Sequence, residues 1–160
     1  MKNASSRLAW LAQPITCNVP VQEGVILTKI LGSCLCRGVR FQINGPLTGA
    51  PNCHCSMCRK AHGSAFRSRA RVEAKDFEFL LGENLVKFYE SSPGTHRGFC
   101  SVCGSPIFSR FDDDKSTYGL PLGALDTDPG VKPEFHVFVS GKASWHEISD
   151  GFVQYDLEKK

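Results

Sequence analysis

Seven of the eight cysteines fall in three short runs, and this grouping constrains the fold more than any other feature. Cys34 and Cys36 form C-x-C, Cys53, Cys55 and Cys58 form C-x-C-x-x-C, and Cys100 and Cys103 form C-x-x-C, while Cys17 stands alone. The only apolar run near the N-terminus, LAWLA (8–12), is too short for the core of a secretory signal. The sequence therefore predicts a cytoplasmic, reducing setting, where clustered cysteines bind metal rather than pair as disulfides.

Spacing suggests how the sulfurs are shared out. In a strand, residues i and i+2 point the same way, so a C-x-C aims two sulfurs at one point. In C-x-x-C the chain turns back and its amides can donate to the sulfurs, a turn that Gly104 suits because it tolerates positive φ. Joined, Cys34, Cys36, Cys100 and Cys103 make the closed four-cysteine set of a structural zinc. The two pairs are distant in sequence, so this metal closes a long loop and couples binding to folding. Cys53, Cys55 and Cys58 can hold a second zinc without help. Three protein ligands plus an open position is the pattern of a catalytic zinc. The alternative is a closed site completed by His62, His54, His96 or Cys17.

The rest of the chain reads as short strands between turns. Fifteen glycines, nine prolines and eleven phenylalanines in 160 residues favour strands and turns over long helices. Candidate strands are 25–32, 37–43, 66–72, 77–81, 85–91, 98–100, 106–111, 118–125 and 135–140. GEN (82–84) reads as a hairpin turn between 77–81 and 85–91. The best helix candidate is the turn or two from Cys58 to His62. His136 reads as a strand histidine with a local partner, Trp145 as part of a packed corner, and Asp112 to Asp114 as a solvated loop. These elements predict a mainly β, single-domain fold over 25–160, preceded by a loosely ordered lead-in over 1–24. No apolar run approaches the length of a membrane span. The formal charge of +3 would be cancelled by seven thiolates holding two zinc ions. With no aromatic set interleaved among the arginines, no nucleic-acid partner is expected.

GSCLCRGVRF (32–41), CHCSMCRKAHGSAF (53–66), SSPGTHRGFCSVCGSPIF (91–108) and HVFVSGKASWHEISDGFVQYD (136–156) resemble the glutathione-dependent formaldehyde-activating enzyme and centromere protein V family. The resemblance runs from about Gly32 to Asp156 and includes all seven clustered cysteines. It implies a tent-like arrangement of small antiparallel β-sheets with little helix. It also implies a zinc on Cys34, Cys36, Cys100 and Cys103, and a second on Cys53, Cys55 and Cys58. The implied activity is that of a carbon–sulfur lyase or ligase joining glutathione and formaldehyde as S-hydroxymethylglutathione. The centromere branch implies the alternative of a zinc-stabilised binding or scaffold module without turnover. A thiol partner with two carboxylates calls for cations near the trio, and Arg59, Arg67 and Arg69, with Arg71 in the same i, i+2 series, are the candidates. One difficulty accompanies the second site: three thiolates around a divalent zinc leave a net negative charge, which weakens Lewis acidity and repels anionic ligands.

Overall fold

Alternation along one strand explains how the molecule is divided. In Arg67–Glu73 the side chains of Ala70 and Val72 are buried, while Arg67, Arg69 and Arg71 occupy the opposite face. Successive residues of a strand face opposite sides, so one face is left for a core and the other for a charged surface. A register slip of one residue would turn three arginines into the core.

The computed structural model describes residues 29–159. Cys17, the predicted lead-in and residues 25–28 of the first predicted strand lie outside the described residues. The elements, in chain order, are β1 (Ile30–Ser33), β2 (Arg40–Ile43), β3 (Pro51–Cys53), α1 (Ser56–His62), β4 (Arg67–Glu73), β5 (Phe77–Leu81), β6 (Val86–Ser92), β7 (Thr95–Cys100), β8 (Pro106–Phe111), β9 (Thr117–Pro121), β10 (Phe135–Val137) and β11 (Val153–Gln154). Four 3₁₀ turns complete the regular structure among the described residues. The fold is mainly β, as the sequence predicts.

Two sheets form. The smaller has the order β1-β2-β5, and the larger has the order β11-β10-β3-β4-β9-β8-β7-β6. Most pairs are antiparallel, but β10 runs parallel to both β3 and β11. Between the sheets lies the core, built on Val39, Phe41, Ile43, Ala70, Val72, Ile107, Phe108 and Leu120. Phe77 stacks on Phe41 at 5.0 Å between centroids and also meets Phe108 at 5.0 Å. Each such side chain removed from water contributes about 1.5–3 kcal/mol before entropy is counted.

Four expectations are corrected. The segments 77–81 and 85–91 do not form a hairpin: β5 pairs with β2, whereas β6 pairs with β7 across the turn at Pro93 and Gly94. Gly82 is instead a crossing point between sheets. It has φ 73°, and a Cβ there would collide with the Gly38 carbonyl. The predicted strand over 135–140 stops at Val137, because Phe138 adopts a left-handed conformation at φ 56° and opens a 3₁₀ turn. Cys34 and Cys36 sit in a turn after β1 rather than within a strand, where the Arg37 amide donates to the Cys34 carbonyl at 2.8 Å and Arg37 has φ 60°. Trp145 is 72% exposed and forms no packed corner.

Candidate functional site

Two cysteine clusters are assembled among the described residues, and in each the sulfurs lie within 4.8 Å of one another. One comprises Cys34, Cys36, Cys100 and Cys103, the other Cys53, Cys55 and Cys58. The sequence partition is thus the spatial one.

The four-cysteine cluster is built from two turns facing each other. In the first, the Cys34 amide donates to the Val39 carbonyl at 3.0 Å and the Val39 amide lies 3.2 Å from Cys34 Sγ. In the second, the Gly104 amide donates to the Cys100 carbonyl at 2.8 Å, with Gly104 at φ 75°. Ser105 ties them together: its hydroxyl accepts from the Leu35 amide at 3.0 Å and lies 3.3 Å from Cys103 Sγ. The sulfur separations of 3.4 Å (Cys34–Cys36) and 3.9 Å (Cys36–Cys100) bracket the value of about 3.8 Å expected for a tetrahedron with zinc–sulfur bonds of about 2.3 Å. The residues fit a tetrathiolate metal.

The trio is held by a strand end and a short helix. Cys53 closes β3, Cys55 is the N-cap of α1, and Cys58 lies buried in its first turn. Cys55 Sγ accepts from the Cys58 amide at 3.3 Å. Gly63, at φ 55°, ends the helix and donates to the Arg59 carbonyl. Cys58 is driven well below the usual thiol range by hydrogen bonds from the Cys53 and Cys55 thiols and, against burial, by Arg67 and Arg97. Cys53 is correspondingly raised, through the same thiol contacts and burial. The donor chemistry fits a soft or borderline divalent cation.

None of His54, His62 and His96 belongs to this sulfur cluster. His54 is fully buried, with Nε2 2.7 Å from His136 Nδ1, and His136 Nε2 in turn lies 3.0 Å from Asp150 Oδ1. Burial and the neighbouring His136 lower the His54 pKa to about 4. His136 is thus a strand histidine with a partner 14 residues on, Asp150, and a second, His54, from distant sequence. His96 pairs with Asp112 at 3.1 Å. His62 is lowered to about 4 by burial and by Arg67, and it lines two neighbouring cavities rather than the cleft at the trio.

That cleft has a volume of about 630 Å³. Its floor carries Cys53, Cys55 and Cys58, one wall carries Arg67, Arg69, Arg71 and Arg97, and Asp112 to Asp114 and Glu158 border it. The register explains the arrangement. Arg67 sits opposite Cys53, Arg71 opposite Gly119, Gly119 opposite Ser109, and Ser109 opposite Arg97. Directly paired residues share a face, so one row crosses β4, β9, β8 and β7. Of the arginines singled out from sequence, Arg67, Arg69 and Arg71 line the cleft. Arg59 does not; its Nε donates to the His54 carbonyl at 3.3 Å. The acidic loop 112–114 is solvated, as the sequence predicts, and also borders the site. Arg97 was missed by sequence reasoning. Its only sequence signal is its position in the same short strand as Cys100, and its place in the site depends on long-range register.

A model of the family described as glutathione-dependent formaldehyde-activating enzyme matches residues 29–141, a span holding every described cysteine and the whole arginine row. The chain belongs to this family. Among its relatives is a Halomonas elongata protein that carries the family's name provisionally; it is 32% identical over 73% of this chain and 79% of its own length. A Schizosaccharomyces pombe protein named only as an uncharacterized lyase is 22% identical over 80% of this chain and 91% of its own. A Rhodobacter sphaeroides protein of known crystal structure is similar in fold to this chain, with a TM-score of 0.53 and 22% identity, covering 78% of this chain and 98% of that one. No helix among the described residues is long and apolar enough to cross a membrane.

Proposed function

We propose that this chain is a zinc-dependent carbon–sulfur lyase or ligase acting on a glutathione-type thiol adduct. The observation that carries this is the shared cleft: three thiols able to hold a metal open onto the same space as four arginines. The named relatives support the same reaction class. Bound at Cys53, Cys55 and Cys58, zinc would supply a position at which a substrate sulfur loses its proton more readily.

The chain's own residues bind and orient. Arg69 and Arg71 offer charge-assisted hydrogen bonds to the carboxylates of the thiol, fixing its sulfur end toward the trio. Arg67 is 5% exposed and tied to the Ser109 hydroxyl and Gly119 carbonyl, so it belongs to the wall rather than to the mobile contacts. In the synthetic direction the sulfur–carbon bond forms as the carbonyl π bond breaks. The proton lost from sulfur ends on the carbonyl oxygen, so the reaction consumes no net proton. In cleavage the same atoms return. A second zinc on Cys34, Cys36, Cys100 and Cys103 would be structural. The domain is proposed to span 25–160 and to work in the cytoplasm, where unpaired thiols persist.

The test is isotope exchange between labelled formaldehyde and its glutathione adduct, followed by NMR with the zinc-loaded full chain. Exchange faster than in buffer is expected. Reversing charge at both Arg69 and Arg71 (R69E, R71E) should raise the glutathione concentration for half-saturation by about tenfold, about 1.4 kcal/mol of binding, at unchanged metal content. Exchange no faster than buffer at saturating glutathione would sink the assignment.

A further inference from the structure

Two guanidiniums at the trio lack the partner such groups ordinarily have. Arg67 is 5% exposed, and its bonds go only to neutral groups, Ser109 Oγ at 3.3 Å and the Gly119 carbonyl at 2.8 Å. Its Nε is buried without any hydrogen-bond partner. Arg97 donates from Nε to Ser91 Oγ at 2.9 Å and from Nη2 toward Cys58 Sγ at 3.8 Å. Among the described residues the ion pairs are His96–Asp112 and His136–Asp150, and neither includes an arginine. A buried cation without a counter-charge is costly, and the cysteine sulfurs of the trio are neighbouring groups able to supply one.

We infer that Arg67 and Arg97 set the trio to take a monoanion, a thiolate above all, as the ligand that completes the metal. Three thiolates around a divalent cation leave one negative charge, and the two guanidiniums acting directly on Cys58 convert that into one positive charge at the trio itself, apart from the Arg69, Arg71, Asp112 to Asp114 and Glu158 side chains that line the rest of the cleft. A neutral ligand leaves this surplus in place, while a monoanion cancels it. The repulsion expected of a tristhiolate zinc toward an anionic thiol is thereby removed by residues that do not touch the metal. An arginine guanidinium stays charged at neutral pH even when buried. This inference rests on the trio being a metal site of the proposed lyase, but not on glutathione being the substrate. Arg97 and Arg67 act here as positioning residues, distinct from the carboxylate contacts at Arg69 and Arg71.

The experiment replaces zinc by Co²⁺ in the full chain and follows the visible ligand-field and sulfur charge-transfer bands. Azide, 2-mercaptoethanol and imidazole serve as inorganic anion, carboxylate-free thiol and neutral ligand. The wild type should bind azide and 2-mercaptoethanol, and Arg97→Gln should weaken both by about tenfold, the effect of about 1.4 kcal/mol. Imidazole affinity and metal content should not change, and Arg97→Lys should recover most of the loss. Arg67→Lys gives a second reading that keeps the buried charge, and it should bind anions within about threefold of wild type, about 0.65 kcal/mol. Equal losses for azide and imidazole, or none for either, would overturn the inference, as would a wild-type site blind to anions. Glutathione binding no better than 2-mercaptoethanol would count against the substrate assignment alone.

Discussion

The two cysteine clusters contain nearly the same atoms yet are surrounded differently. The four-cysteine cluster joins two turns, and its sulfurs are met by the Val39 amide and the Ser105 hydroxyl. Leu35 and Val102, the apolar residues inside its two cysteine pairs, are 86% and 68% exposed. The trio sits at a strand end and a helix start, faces guanidiniums, and opens onto a cleft. Neutral hydrogen-bonding groups around four sulfurs suit the proposed staple, whereas full positive charges around three suit the proposed reactive centre. The chemistry of a cluster therefore depends less on its cysteines than on what neutralises them.

The largest effect should come from breaking the staple. Cys100→Ser removes a ligand from a cluster that joins the β1–β2 turn to the end of β7. Structural zinc contributes about 10–16 kcal/mol, comparable to a whole domain's stability of about 5–15 kcal/mol. Loss of the cooperative thermal transition in circular dichroism is the expected result. Breaking the trio should separate function from fold. Cys55→Ser should lower the bound metal from two ions per chain to one while keeping the melting transition. Exchange activity should fall by more than the roughly 100-fold lost when only a ligand's hydrogen-bond partner is removed. A melt as damaged as that of Cys100→Ser would erase the contrast between the clusters. The smallest effect concerns the histidine chain behind the trio. Asp150→Asn weakens the contact to His136, which reaches His54 between Cys53 and Cys55. A loss of about 1 kcal/mol in urea denaturation is expected, with metal release accelerated at the trio and unchanged at the staple.

Much of this contrast was legible in the sequence. Cysteine spacing sorted seven cysteines into two groups, and the i, i+2 series of arginines in 66–72 marked a strand with one charged face. Short-range periodicity is written locally, so it survives reading without a structure. Pairing is not local. The GEN turn looks like a hairpin because its partner strand, β2, is contributed by distant sequence, and nothing in 77–91 reveals that. Arg97 was missed for the same reason: its neighbours Ser109 and Cys58 come from two other elements. Arg59 follows Cys58 directly, but the helix turns it toward the His54 carbonyl, away from the cleft that its neighbour in sequence lines.

The position of β4 has one more consequence. Its first residue pairs with Cys53 and its later ones with β9, so the strand leads away from the sulfurs along the cleft. A strand rises about 3.3 Å per residue, which places Arg69 and Arg71 about 7 and 13 Å beyond Arg67. If the trio holds the proposed zinc, the arginines would act as graduations on a ruler that starts there, and the length of an occupant, from its sulfur to its acid group, would decide which mark it reaches.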